Sequence, residues 1–310
     1  MYLSGMVIVA CGGPATVASS RQPMSPPTVG ETALPENCRG EKALAHWQQI
    51  KAQYATIDGN LHAVSLAGCL AASDPRLRDG VAYELLTYWF RKASLRPSVR
   101  SEVLARLLPW LNRGEGAPGK HAIARAFSAL VLSEVVRSDG KSSWLTESQR
   151  LDLHEASIAM FARERDYRGL DPTIGWVHAV AHGADLLWRL AAHPETTVEQ
   201  QRAQLTVLRP QIARPGLPPY VFNESDRLAR VVTAIVLARQ VPAGELRTWV
   251  EALSDPTPMA RWAEAFRSPA GMARLHNVKQ FLRALREESA KSQTAGSLLA
   301  AVDEALDALP

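Results

Sequence analysis

Residues 178–191 read HAVAHGADLLWRLA, and the spacing of their apolar side chains admits one secondary structure. Val180, Ala184, Leu187 and Ala191 recur at intervals of three and four, the period of a helix with a buried face. Three other stretches have the same build: RDGVAYELLTYWF from Arg78, RAFSALVLSEVV from Arg125 and RVVTAIVLARQV from Arg230. Each opens on a basic residue, as the first does on His178, and continues strongly apolar. Outward from these four the helical spacing continues, and it predicts helices from residue 41 to 308, among them 76–93, 97–113, 120–137, 147–165, 174–192, 225–240 and 258–267. No alternating Val/Ile/Thr run bounded by turns points to a sheet, so the expected class is all-α.

The starts Arg78, Arg125, His178 and Arg230 lie 47, 53 and 52 residues apart, and each interval holds one further amphipathic helix and a loop. HEAT and armadillo units are helix pairs of roughly 40–47 residues, so stacked antiparallel helix pairs in an α-α superhelix are the expected architecture. Local punctuation agrees. Thr146 and Gln149 form a capping box, Pro194 and Pro215 follow helix ends, and RGEGAPG at 113–119 is a loop. Asn223 or Ser225 is expected to cap the helix that contains Asp226 and Arg227. Asp74 reads as a cap, Arg78 and Asp79 as a pair between helices, and the eight tryptophans as core.

The candidate site lies on the first helix. His178, His182 and Asp185 are spaced i, i+4 and i+7, so an uninterrupted helix places them on one stripe with Gly175 and Arg189. Upstream, ERDYRGLDP supplies Glu164, Asp166, Arg168 and Asp171, and the turn at Arg168-Gly169 is expected to fold these charges against the histidines, with Trp176 packed beside them. Three readings follow. The groups form a satisfied polar network between packed helices. Alternatively, His178, His182 and Asp185 or Asp166 ligate a divalent metal such as zinc, for which two histidines at i and i+4 with a carboxylate are a known donor set. In the third, the stripe lines a groove for a peptide or small anionic group, with Arg168, Arg189 and Arg227 as charge partners. The HExxH arrangement is absent, because Ala179 stands where its general base would be, so a hydrolase here needs Glu164 or another acid.

Composition sets outer limits. Of 310 residues 46% are hydrophobic, and 35 basic residues nearly balance 31 acidic ones, with no basic run, so nucleic-acid binding has no support. The first eleven residues, MYLSGMVIVAC, end in a lipobox-like Ile8-Val9-Ala10-Cys11, which makes Cys11 a candidate for lipidation, although no Lys or Arg precedes the apolar run. Residues 12–40 are rich in Pro, Ser, Thr and Gly and read as a tether, with a single folded domain over 41–310. The expected location is therefore the cell envelope, lipid-anchored, or the cytoplasm if the lipobox is fortuitous. Beyond Cys11, Cys38 and Cys69 remain: a disulfide in an oxidising compartment, or a buried free thiol at Cys69.

DPRLRDGVAYELLTYW at 74–89, RAFSALVL at 125–132, ERDYRGLDPTIGWVHAVAHGADLL at 164–187 and ESDRLARVV at 224–232 occur in an order that resembles the bacterial family DUF2785, a domain of unknown function. The resemblance spans about residues 58–285 and implies an all-helical fold and no stated activity. The reading that results is a lipid-anchored, extracytoplasmic binding or scaffold module whose partner is a protein, a peptide or a small anionic ligand. It touches the membrane only through its anchor. A metal-dependent hydrolase using His178, His182 and Asp185 is the alternative.

Overall fold

A computed structural model describes residues 34–114, 116–119 and 121–310. Cys11, the lipobox and the tether up to residue 33 lie outside the described residues. The chain is all-α, and the one sheet among the described residues is a two-stranded ladder of two residues per strand.

A 3-10 turn at Glu36–Cys38 leads into α1 (Gly40–Ala52), and α2 (Ala63–Gly68) runs into a second turn at Cys69–Ala71. Secondary structure thus begins ahead of residue 41, because Cys38 and Cys69, both buried, are joined in a disulfide. The two alternatives for this pair resolve to the bonded one. Next come α3 (Pro75–Leu77), a π-helical stretch at Arg78–Tyr83 and α4 (Glu84–Arg91), continuous in sequence. Asp74 caps this rod by accepting the Arg76 amide, and Pro75 sits in the first turn, where its missing N–H costs nothing.

The rest alternates. α5 (Pro97–Leu111), α6 (Ala122–Lys141) and α7 (Glu147–Arg163) precede the ladder of β1 (Leu170–Asp171) and β2 (Gly175–Trp176). Then follow α8 (Ala179–Ala191), α9 (Val198–Ala213), α10 (Glu224–Ala238) and α11 (Ala243–Glu251). α12 (Pro269–Ala290) and α13 (Leu299–Asp307) close the chain. The Thr146–Gln149 capping box starts α7, and Thr197 with Gln200 repeats it at α9. The helix expected over 258–267 is a 3-10 helix at Trp262–Arg267. Asn223 occupies the N-cap of α10 without capping through its side chain, and Ser225 does not cap either; Glu224 accepts the Phe222 amide at 2.8 Å instead.

Packing sorts the helices into two layers. α4, α6, α8, α10 and α12 lie side by side in that order, while α5 packs on α6, α7 on α8, and α9 on both α10 and α12. The four helices that look alike in sequence are therefore four successive members of one layer. α6 is its centre: 17 of its 20 residues are buried, so it has no solvent face to keep polar. Gly183 shows how close the layers come. A Cβ there would meet Phe161 Cδ2 at 2.7 Å and Met160 Cε at 2.9 Å, so the space beside it holds α7 side chains. Among the tryptophans, Trp47, Trp89 and Trp262 are buried in the core, whereas Trp176 is exposed.

Candidate functional site

The helix expected over 174–192 begins only at Ala179, and the reason lies in the preceding turn. Asp171 Oδ1 accepts the amides of Thr173 (2.9 Å) and Ile174 (3.2 Å), and Pro172 between them has a fixed φ and no donor. The chain reverses there, pairing Leu170 with Trp176 and Asp171 with Gly175. Two more backbone bonds lengthen the hairpin, Val177 N to Gly169 O at 2.8 Å and His178 N to Arg168 O at 3.1 Å. Gly169 makes this possible, since a Cβ on it would lie 1.9 Å from the Phe222 ring. His178 then enters the helix as its N-cap with left-handed backbone (φ 49°, ψ 34°), a conformation uncommon outside glycine.

The shortened helix takes His178 off the stripe but not out of the cluster. Its ring stacks on Trp176 with centroids 4.5 Å apart and meets the His182 ring edge-on at 5.8 Å. His182 in turn stands edge-on to Phe127 of α6 at 5.0 Å. His178 Nε2 and His182 Nδ1 are buried without a hydrogen-bond partner. Burial pushes both imidazoles below their ordinary value, and His182, 7% exposed, is pushed well below it, so both are neutral at pH 7. Beneath them lies Arg78, fully buried. Its Nη2 donates to the carbonyls of Ile174 (2.8 Å) and Trp176 (3.1 Å), and its guanidinium lies 4.5 Å over the Phe127 ring. Arg78 does pair with Asp79, at 2.6 Å, but as a neighbour on its own element and not between helices.

The remaining charges divide into two groups. Asp166 is buried and holds Arg168 through two bonds, Nε to Oδ1 at 2.9 Å and Nη2 to Oδ2 at 2.7 Å, while Arg168 also reaches Asp171 at 3.2 Å. Glu164 is not part of the histidine cluster. It accepts two bonds from Arg125 of α6, at 2.9 and 3.0 Å, plus the amides of Arg165 and Asp166, all in the interior. Asp185 is engaged by the Arg227 guanidinium of α10, and burial pushes its carboxyl up. Both carboxylates that could complete a donor set with His178 and His182 are held by arginines, Asp185 by Arg227 and Asp166 by Arg168, and among the described residues no three His, Cys, Asp or Glu side chains are grouped to hold a metal ion.

Farther along the same layer lies a row of arginines, of which sequence reasoning singles out Arg189 and Arg227 as charge partners but not the rest. Arg91 of α4 grips Glu134 of α6 with two bonds (2.6 and 3.1 Å), and Arg137 stands 3.7 Å from the same carboxylate. Arg230 of α10 is 3.8 Å from Glu288 of α12. Between these pairs Arg189 of α8 lies 3.8 Å over the Trp188 ring and makes no ion pair among the described residues. Burial pushes its guanidinium down, and Arg137 and Arg91 repel it while Glu134 and Asp185 attract it. Together Arg91, Arg137, Arg189, Arg227 and Arg230 face the three carboxylates of Glu134, Asp185 and Glu288. A cavity of about 430 Å³ adjoins this row, lined by Trp188, Ala192, Arg230, Thr233, Leu237 and Glu288 among others. Of the basic residues that open the like helices, Arg230 belongs to this row, whereas Arg78 and Arg125 are engaged by the hairpin and by Glu164.

A family model described as "Protein of unknown function (DUF2785)" matches residues 116–286. No curated protein and no solved structure matches the chain significantly.

Proposed function

The chain belongs to the DUF2785 family, whose description states no activity, and from its site we propose that it is a binding module for a small anionic ligand or the acidic side chains of a peptide, held at Arg189. One observation carries this reading: Arg189 is a half-buried guanidinium with no carboxylate in contact, set among four other arginines, and the Trp188 ring it lies over lines a cavity. Bidentate donors of this kind match carboxylate and phosphate geometry, and an incoming anion relieves the repulsion between Arg189, Arg137 and Arg91. The cavity adds apolar surface from Trp188 and Leu237 for the rest of the ligand. A hydrolase draws no support from the engaged Asp185.

Localisation in the envelope, with Cys11 lipidated, fits the same reading. The Cys38–Cys69 bond supports it, because disulfides persist in oxidising compartments and are rare in the cytosol. The side-by-side layer of like helices supports the HEAT-like superhelix, an architecture that offers extended binding surfaces. Two experiments test the proposal. Titration with inorganic phosphate and with a hexaglutamate peptide, followed by Trp fluorescence and calorimetry, should show salt-sensitive binding that Arg189→Gln weakens about tenfold; equal affinity in the variant overturns the site. Labelled fatty acid should enter the wild type, and Cys11→Ala should move the protein from membrane to soluble fractions. Unlabelled protein that fractionates unchanged overturns the anchor.

A further inference from the structure

A second cavity, of about 510 Å³, opens where the α6–α7 and α8–α9 loops meet, and none of its lining residues also lines the Trp188 cavity. Its size is within the roughly 300–1000 Å³ of small-molecule sites. Val136, Leu145, Leu153 and Leu190 form a buried apolar wall. The charged groups within it already have partners. Asp139 Oδ1 accepts the amides of Trp144 (2.6 Å) and Leu145 (2.8 Å), and Oδ2 contacts His193 Nε2 (3.0 Å) and Arg150 Nη1 (3.3 Å). The Glu195 amide donates to His193 Nδ1 at 3.2 Å, which places the ring proton on Nε2, where it is donated to Asp139. Arg150 gives a further bond to the Leu145 carbonyl at 2.7 Å.

What remains is acceptor. His154, 4% exposed, lines the cavity, and its Nε2 has no hydrogen-bond partner. Burial pushes its pKa down and keeps the ring neutral. Nε2 is thus an unpaired, buried polar atom of a neutral ring, which offers a lone pair when the ring proton sits on Nδ1, and such a group is costly unless a partner meets it. On the rim, Glu147 and Glu195 are exposed and make no ion pair among the described residues. An anion would face three carboxylates against one engaged arginine. A cation with N–H donors complements every group left over.

We propose that this cavity binds a small primary amine with an apolar body: the ammonium group donates to His154 Nε2 and is balanced by Glu147 and Glu195, and the body packs on Val136, Leu145 and Leu190. Glu147 and Glu195 also lie near the N-termini of α7 and α9, where a carboxylate offsets the helix dipole, so their loss alone should alter stability only slightly. Selectivity between ligands is therefore the decisive readout. Benzylamine, benzyl alcohol and benzoate share a ring and differ in charge, and their binding to the full chain can be compared by calorimetry and ligand-observed NMR. Benzylamine should bind about tenfold more tightly than benzyl alcohol, and benzoate more weakly than either. In Glu147→Gln/Glu195→Gln, benzylamine should fall to the level of benzyl alcohol, whose own affinity stays unchanged. Arg189→Gln should leave benzylamine binding intact, which separates this site from the proposed anion site. Benzoate binding as tightly as benzylamine, an unaffected double variant, or no amine binding up to roughly 10 mM each overturns the proposal, since a Kd of that size is barely above the noise of specific recognition.

Discussion

The ladder end of the helical layer and the arginine row farther along it use the same side chains and treat them differently. At the ladder, Arg125 is closed on Glu164 in the interior, Arg168 on Asp166, and Arg78 on two carbonyls of the hairpin. Along the row, Glu134 is shared by Arg91 and Arg137, Asp185 is held by Arg227 alone, and Arg189 has only a tryptophan face. An arginine whose donors are all engaged by its own fold acts as a strut; one left with open donors beside a cavity is available to something else. Burial alone does not separate the two, since Asp166 and Asp185 are both buried. The completeness of the partner set does.

Substitutions can break this contrast, and their expected effects on stability decrease in order. Glu164→Gln leaves Arg125 buried and unpaired, and urea denaturation should show a loss of about 3–5 kcal/mol; a loss below about 1 kcal/mol would mean the closed end is not closed. Arg78→Met removes the donors to Ile174 and Trp176 and should cost about 1–3 kcal/mol. Hydrogen exchange at the Val177 and His178 amides should accelerate in that variant, because the hairpin loses its internal prop.

Acidity gives a third test. The folded-state pKa values of His178 and His182 lie below the unfolded value of about 6.5, so the unfolded chain takes up protons first as pH falls. Stability should be level above pH 6.5 and decline below it, and His182→Phe should flatten that decline by removing the more strongly shifted ring. A slope identical to wild type would show that other groups control acid unfolding. The smallest stability change is expected from Arg189→Gln, within about 0.5 kcal/mol, in the same variant that weakens anion binding about tenfold. If instead it destabilises as much as Glu164→Gln, the row is structural and the contrast fails.

Much of this was legible beforehand. Apolar spacing placed α5, α6, α7 and α10 to within a few residues, and the likeness of the stretches at Arg78, Arg125, His178 and Arg230 anticipated that their helices pack alike. Helix spacing is a local property, so it survives folding. The start of α8 did not follow from spacing, because Asp171, Pro172 and Gly175 outweigh the helical pattern of Ile174 and Val177. The joining of Asp166 with Arg168 and of His178 with His182 was expected from close sequence positions. Pairs such as Arg125–Glu164 and Arg91–Glu134 join residues 39 and 43 positions apart, and single-sequence reading has no ruler for that distance. Of the arginine row, the sequence marks Arg189 and Arg227 as charge partners of the stripe but not the whole set, for the same reason: its members come from four helices, one or two from each.

The Cys38–Cys69 bond has a mechanical consequence. A pull on the chain ahead of Leu34 enters the fold at Cys38, and the sulfur bridge carries it directly to Cys69. The stretch between them, with α1 and α2, is thereby shielded from the load and cannot be peeled away in sequence. That separation of 31 positions, at about 3.4 Å each, represents on the order of 100 Å of hidden length. Reduction would release it, so a tethered copy of the protein should lengthen under force by that amount only after the bridge is broken.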